Sequence, residues 1–102
     1  MKSYTPGPWI HEATSEAQLI KSKQGYLIAE VAQDETYDYA ADMREAEANA
    51  HLIASAPELL EALKEVEWSN GGFCPQCARG PVSGHAPKCV VGMAIAKAEG
   101  RQ

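Results

Sequence analysis

The strongest constraint on the fold is a group of three cysteines and one histidine in the last third of the chain. They form a Cys-x-x-Cys pair and a His-x-x-x-Cys pair, with seven residues between the two pairs. The two-residue spacing allows both thiolates of the first pair to face one ion, and residues four apart at a helix start lie on one side. Three thiolates and one imidazole complete the tetrahedral shell of a structural zinc site. We therefore predict a structural Zn²⁺ ion held by Cys74, Cys77, His85 and Cys89.

A hydrophobic core cannot hold this segment in place. Between Gly72 and Cys89 the large apolar residues are Phe73 and Val82 alone, so burial cannot offset the ordering entropy without a metal. Two alternatives remain for the cysteines, a redox pair or free structural thiols. A redox Cys-x-x-Cys motif is expected after a strand and before a helix, whereas glycines precede this pair and Arg-Gly-Pro follows it. A closed disulfide framework is excluded because three cysteines is an odd number.

The N-terminal part of the chain has the pattern of a three-stranded antiparallel meander. Prolines near the N-terminus fix φ and exclude a helix there. Three β-rich runs follow, and Gly25 favours a hairpin turn before the last of them. In that run Leu27, Ala29 and Val31 share one face of the strand, and Tyr26, Ile28 and Glu30 share the other. We expect one face of the meander to be buried.

The middle of the chain is predicted to be helical. Apolar residues recur there at the helical spacing of about 3.6, and Pro57 interrupts the pattern because it lacks an N–H and its ring clashes with the preceding turn. Ser55 and Glu58 fit a capping box that would restart the helix. A short, mostly buried helix is expected near the C-terminus. The predicted helices run over residues 41–54, 56–67 and 90–98.

Length and composition predict a single domain over residues 1–102. A chain of 102 residues can bury one modest core, and 45% hydrophobic with 23% charged residues is globular composition. The predicted fold class is α+β, a three-stranded antiparallel meander packed against a proline-broken helix pair, followed by a C-terminal zinc knuckle and a short helix. The corresponding parts are the meander at 1–40, the helices at 41–68, and the zinc-knuckle subdomain with its helix at 72–100.

The charge balance bears on the class of partner. The net charge is −5, so the chain lacks the clustered cations through which proteins bind duplex phosphates. No apolar run approaches the roughly 20 residues that span a bilayer, and the N-terminus lacks the apolar stretch of a secretory signal. We expect a cytoplasmic protein that contacts neither duplex DNA directly nor a membrane.

The predicted helices carry many carboxylates, which form either a solvated acidic face or a surface for a basic partner. Asn49 lies among alanines, and such small side chains allow helices to approach closely, which is compatible with a homo-oligomer through the helices. Trp9 either anchors the first strand or binds a partner. The predicted partner-binding residues are Trp9, Glu45, Asn49, Glu58, Glu61 and Glu65.

Two stretches resemble a family of small phage and prophage proteins. The segment Thr5-Pro6-Gly7-Pro8-Trp9 is similar to the family's TPGPW opening, and residues 45–63 are similar to its ANARLIAAAPELLEAL-type helix. His51 stands where arginine is common in that helix, and the Cys/His tail is similar to one that some members carry. The resemblance implies an origin in a bacteriophage and action in the cytoplasm of an infected bacterium.

The sequence lacks nucleophile, phosphate-binding and dinucleotide motifs, so we predict that the protein is not an enzyme. The resemblance implies a phage accessory protein that binds a host protein or a small nucleotide. The leading hypothesis is stoichiometric counter-defence, by inhibiting a host defence protein such as a CRISPR effector or by sequestering a nucleotide signal. The alternative is a zinc-dependent nucleic-acid-binding or regulatory module with Phe73, Arg79 and Lys88 at the contact. A weaker third hypothesis, a hydrolase, requires His85 to leave the zinc shell.

Overall fold

The computed structural model describes residues 4–15, 17–32 and 39–101, except for the side chains of residues 39–43. Within these residues the elements are β1 (Ile10–Ala13), β2 (Ala17–Lys21), β3 (Leu27–Ala32), α1 (Tyr39–Ala54), α2 (Ala56–Val66) and α3 (Val90–Ala98). The order confirms the predicted α+β class, because an antiparallel sheet precedes the helices and a Cys/His segment lies between α2 and α3. Residues 1–3, 16 and 33–38 of the predicted meander region lie outside the described residues.

The three strands form an antiparallel meander in the order β1-β2-β3. A tight turn joins β2 to β3, in which the Ser22 N–H donates to the Tyr26 carbonyl (2.8 Å) and the Gly25 N–H donates to the Ser22 carbonyl (2.9 Å). Gly25 has a φ of +95°, a left-handed conformation that glycine adopts without a steric penalty. The predicted hairpin is therefore confirmed.

An irregularity in β2 changes which side chains of β3 are buried. Ile20 pairs with Ala29, but the register shifts at the next position, so Lys21 pairs with Leu27. Directly opposed residues lie on the same face of a sheet. Ala29 therefore shares the face of Ile20, which is fully buried, whereas Leu27 shares the face of Lys21 and is 58% exposed. The predicted grouping of Leu27 with Ala29 on one face of β3 is therefore wrong, because the register shift turns Leu27 to the other side.

Helix α1 packs against the sheet and contacts all three strands. Ala46 and Ala50, which lie one turn apart on α1, are buried, and their small side chains let the helix backbone approach the strands. The buried side chain of Gln18 is hydrogen-bonded to the His11 ring, with 2.5 Å between Oε1 and Nε2. The His11 ring in turn meets the His51 ring of α1 edge-on, with centroids 4.7 Å apart.

The predicted proline break is confirmed, since α1 ends at Ala54 and α2 starts at Ala56 with Pro57 in its first turn. Ser55 lies between the two helices, where its hydroxyl donates to the His51 carbonyl (2.9 Å) and its N–H donates to the same oxygen (3.1 Å). The predicted capping box with Glu58 is not among the contacts of the described residues. The start of α2 is instead packed by the N-terminal turn, where a Cβ on Gly7 would lie 3.0 Å from the Cβ of Pro57.

Helix α3 has the predicted bounds but not the predicted burial. Of its nine residues, all of which are described, only Ile95 is buried. Val90 and Met93 are 61% and 50% exposed. A nearly uniform apolar composition was the basis for expecting a buried helix. In the structure this short helix turns one residue into the interior and leaves the rest half-buried or exposed.

The chain forms two compact units, Met1–Glu58 and Leu59–Gln102. The first contains the sheet and α1. The second contains most of α2, the Cys/His segment and α3. The single domain expected from length stays a prediction. In the part of the chain that the structure describes, no helix has the length and apolar character needed to cross a membrane.

Candidate metal centre

A tight turn holds the first two cysteines of the Cys/His segment. The Cys74 N–H donates to the Arg79 carbonyl (2.9 Å), and the Ala78 N–H donates to the Cys74 carbonyl (2.8 Å). The Gln76 N–H points at the Cys74 sulfur at 3.4 Å, as in a knuckle whose amides face a thiolate. Ala78 has a φ of 62°, a left-handed conformation that an alanine adopts only where its surroundings enforce it.

The second pair of donors is brought together by a turn ahead of α3. Cys89 is the N-cap of α3, its N–H donates to the Ala86 carbonyl (3.0 Å), and its carbonyl accepts from the Met93 N–H (2.9 Å). His85 lies in the loop before the helix and not on it. The sequence prediction brought His85 and Cys89 together through the i, i+4 spacing of a helix. In the structure the two residues do meet, but a loop and not a helix brings them together.

The four predicted ligands converge. The three sulfurs and the nearer imidazole nitrogen all lie within 4.8 Å of one another. The Cys74 and Cys89 sulfurs are 3.8 Å apart, and Nδ1 of His85 lies 3.6 Å from the Cys77 sulfur and 3.5 Å from the Cys89 sulfur. Cys74 and Cys89 are buried, while Cys77 and His85 are half-buried. These four residues could bind a metal ion.

Three further residues surround the His85 imidazole, and sequence reasoning missed all of them. Oε2 of Glu67 lies 2.6 Å from Nε2 of the ring. The Trp68 indole stacks on the ring with centroids 4.5 Å apart and planes 15° apart. The backbone of Gly92 packs tightly against the His85 ring, because a Cβ at this position would lie 2.6 Å from the His85 Cγ. The sequence contains little that would identify Glu67 as a neighbour of His85, because Glu67 is one of many carboxylates in the predicted acidic helices.

Hydrogen bonds and burial shift the pKa values of Cys77, His85 and Cys89. The backbone N–H groups of Ala86 and Arg79 lower the pKa of the Cys77 thiol to about 6, which favours the thiolate that a metal binds. Burial raises the pKa of the Cys89 thiol. The Glu67 carboxylate raises the pKa of the His85 imidazole to about 9, so metal binding at Nδ1 must displace a proton.

The predicted partner-binding residues lie apart from this cluster. Trp9 precedes β1, is half-buried, and donates its indole N–H to the Thr5 carbonyl at 2.9 Å. The polar residues predicted on the helices are all exposed, with Glu58, Glu61 and Glu65 spaced along α2 and Glu45 and Asn49 one turn apart on α1. Their role in binding stays a prediction.

Comparison with known proteins identifies a matching family model. A family model described as Salmonella phage P22 protein Y8K6 matches residues 1–102. The matched range includes the sheet, the helices and the Cys/His segment. No curated protein and no solved structure matches the chain significantly.

Proposed function

The chain belongs to the family of Salmonella phage P22 protein Y8K6, and from that premise we propose a non-catalytic accessory protein with a structural zinc ion in its C-terminal unit. The observation that carries the proposal is the convergence of four protein donors on one point. A structural zinc site uses four protein ligands, whereas a catalytic one uses three and keeps a position for water or substrate. The four residues therefore favour a scaffold over a reaction centre.

The donor distances support zinc as the ion. A tetrahedral site with Zn–S bonds of about 2.3 Å and Zn–N bonds of about 2.0–2.1 Å has sulfur–sulfur edges of about 3.8 Å and sulfur–nitrogen edges of about 3.5–3.6 Å. The structure has 3.8 Å between two sulfurs and 3.5 and 3.6 Å between Nδ1 of His85 and two sulfurs. Thiolate and imidazole donors also favour Zn²⁺ over the oxygen-seeking Mg²⁺ and Ca²⁺.

The ion would act as a cross-link. Cys74, Cys77, His85 and Cys89 would hold it, and when bound it supplies four bonds to a segment with little apolar burial. Phe73 and Val82, the large apolar residues of that segment, are 51% and 102% exposed. The segment therefore has little else to offset its ordering entropy.

Metal analysis of the purified protein tests the zinc site. We expect about one zinc per chain, and loss of zinc in the His85→Ala variant. His51→Ala is the matched control, because that histidine lies on α1 in the other unit and should leave the zinc content unchanged. Zinc at background level in the wild-type protein, or equal loss in both variants, would contradict the proposal.

The binding function rests on the exposed acidic residues and on the phage family. A row of carboxylates on α2 provides negative charge that is complementary to a basic host protein, such as a nucleic-acid-binding defence effector. Sequestration of a small nucleotide signal between subunits is the other form of the same counter-defence hypothesis. In either form the protein acts by stoichiometric binding in the cytoplasm of the infected bacterium.

Affinity capture from infected cells tests this hypothesis. We expect the wild-type protein to retain a basic host protein, and Glu65→Lys to lose it by reversing the charge of one exposed carboxylate on α2. Glu30→Lys, an exposed reversal on β3, is the control and should retain the partner. Mass spectrometry of the small molecules that the protein releases on denaturation tests whether it sequesters a nucleotide. Recovery of neither a protein nor a nucleotide would reject the hypothesis.

One observation favours the alternative of nucleic-acid binding. Phe73 is 51% exposed, and the cations Arg79 and Lys88 are exposed on the same Cys/His segment. An aromatic face with neighbouring cations is suited to single-stranded nucleic acid. A gel-shift titration at low salt decides the matter: retardation that Phe73→Ala abolishes supports this alternative, and no retardation at micromolar protein rejects it.

A further inference from the structure

We propose that Glu67 is a positioning residue of the metal site, whose carboxylate fixes the His85 imidazole as the tautomer that presents Nδ1 to the ion. The inference rests on the zinc site proposed above and concerns a residue outside its four ligands. It predicts that the ion's affinity depends on a carboxylate that does not touch the ion.

The two ring nitrogens of His85 have different neighbours. Nε2 lies 2.6 Å from Oε2 of Glu67. Nδ1 lies 3.5 and 3.6 Å from the sulfurs of Cys89 and Cys77. An ionised carboxylate only accepts hydrogen bonds, so the proton between Nε2 and Oε2 is donated by the ring. In the neutral imidazole the lone pair then lies on Nδ1, the nitrogen among the sulfurs.

The contact is shielded enough to hold this orientation. The side chains of His85 and Glu67 are 14% and 17% exposed, so water competes little for the hydrogen bond. The stacked indole of Trp68 and the close backbone of Gly92 further restrict the ring. Rotating the ring to present Nε2 to the sulfurs would break the hydrogen bond to Glu67.

Glu67 also links the site to a helix. It follows directly after α2, which ends at Val66, and it lies 18 residues before His85 in the chain. The ion would otherwise be held by the segment 74–89 alone. Through Glu67 the metal site is connected to the end of α2, which is a firmer support than a glycine-rich loop.

Zinc competition against a chromophoric chelator tests the proposal. Loss of a hydrogen bond to a metal-binding histidine typically weakens metal affinity about 10–100-fold, and we expect Glu67→Ala to fall in that range. Glu67→Gln keeps a hydrogen-bond acceptor but loses the charge, so its affinity should lie between wild type and Glu67→Ala. Glu30→Gln removes an exposed carboxylate from β3 and is the charge-matched control, with wild-type affinity expected.

A second background separates positioning from general stability. His85→Cys replaces the imidazole with a fourth thiolate, which leaves Glu67 no ring to orient. In that background Glu67→Ala should not weaken zinc binding, whereas a merely structural carboxylate would lower the affinity in both backgrounds. The absorption of the Co²⁺-loaded proteins checks that each variant has the intended donor set.

Nitrogen NMR of the zinc-loaded wild-type protein reads the tautomer directly. We expect His85 to carry its proton at Nε2 and to bind the metal through Nδ1, whereas metal at Nε2 would overturn the inference. The two proposals fail separately. A wild-type protein that binds no zinc refutes the zinc site itself, whereas a Glu67→Ala variant that binds zinc as tightly as wild type refutes only the role of Glu67.

Discussion

Gly92 shows how one absent side chain shapes the candidate metal site. A Cβ at this position would lie 2.6, 2.7 and 2.8 Å from three atoms of His85, which is closer than real Cβ atoms approach. The residue nevertheless sits inside α3, where glycine costs about 1 kcal/mol relative to alanine. Helix propensity at position 92 favours alanine, whereas the position of the His85 ring leaves room only for glycine.

Gly92→Ala tests this conflict. Helix propensity alone would make the variant more stable, but the added methyl group must displace His85 from the sulfurs. We expect weaker zinc binding and a net loss of about 1–3 kcal/mol in the free energy of unfolding, the range found for overpacked sites. Zinc competition and chemical denaturation measure the two effects.

Ala94→Gly is the matched control for that variant. It makes the opposite change at an exposed position of the same helix. It should lower stability by about 1 kcal/mol through helix propensity and leave zinc affinity unchanged. A Gly92→Ala protein that is more stable than wild type and binds zinc equally well would show that the ring has room to move.

The four ligands could be predicted from the sequence, but their supports could not. Cysteine and histidine spacings over 16 residues, from Cys74 to Cys89, are local and carry a recognisable chemistry. Glu67 meets His85 across 18 residues of chain, and its position depends on where α2 ends and how the loop returns. The sequence contains 14 acidic residues, and only the folded structure shows that Glu67 is one that contacts His85.

At the scale of elements, the register shift between β2 and β3 decides the core of the first unit. Ile20 is fully buried, while Leu27, of nearly the same size and apolar character, is 58% exposed. The alternation of the sequence placed Leu27 on the same face as Ala29, because a strict two-residue period cannot locate a bulge. The bounds of the helices were predicted more closely because Pro57 marks the break between α1 and α2.

A pair of truncations measures that register. Ile20→Ala should lower the free energy of unfolding by about 2–5 kcal/mol, because it leaves a cavity beneath α1. Leu27→Ala should change it by no more than about 0.5 kcal/mol, as expected for an exposed position. Urea denaturation followed by Trp9 fluorescence in a Trp68→Phe background reports on this unit. Equal losses for the two variants would indicate that Leu27 is buried after all.

Within the second unit, Glu99 joins the C-terminal end of α3 to α2. Its carboxylate accepts from Lys64 (2.8 Å) and from two groups of Arg101 (2.8 and 3.2 Å). The Lys64 ammonium, followed by the Arg101 guanidinium, lowers the pKa of Glu99. A lowered pKa in the folded state means that the contact stabilises the fold above the ordinary carboxyl pKa. The stabilisation is lost as the pH falls through the folded-state pKa.

Lys64→Met should raise the pKa of Glu99 toward its ordinary value, because it removes the larger of the two causes. Carbon NMR of the carboxyl groups as a function of pH measures the midpoint directly. Lys97→Met removes an exposed lysine of α3 that does not contact Glu99 in the described structure, and should leave the midpoint in place. An unchanged midpoint in Lys64→Met would show that the ion pair is screened out in solution.

At the scale of the whole molecule, the two units differ in how they are held together. The first buries Ile20, Ala46 and Ala50 between a sheet and a helix. The second has a segment of about 16 residues, from Cys74 to Cys89, in which the buried side chains are those of these two cysteines. The four candidate ligands all lie within Leu59–Gln102, so the contribution of a bound metal to folding should be confined to that unit.

Chelation followed by hydrogen exchange and mass spectrometry tests this division. Removal of zinc should abolish protection over the segment 72–89 and weaken it in α3, because Cys89 is the N-cap of that helix. The strands and α1 should keep their protection. Added Zn²⁺ should restore the original pattern, while Mg²⁺ should not, because the donors are thiolates and an imidazole. Loss of protection in both units together would show that they fold as one.

The short distance between two of the sulfurs has a practical consequence for handling the protein. The sulfurs of Cys74 and Cys89 lie 3.8 Å apart, whereas a disulfide bond is about 2.05 Å long. Once the metal is lost, a peroxide that accepts two electrons from these thiols can join them and prevent reloading. Cys77 is then left without an intramolecular partner, so it can cross-link two molecules during storage. A covalent dimer on a non-reducing gel would therefore serve as an early sign that a preparation has lost its metal and aged.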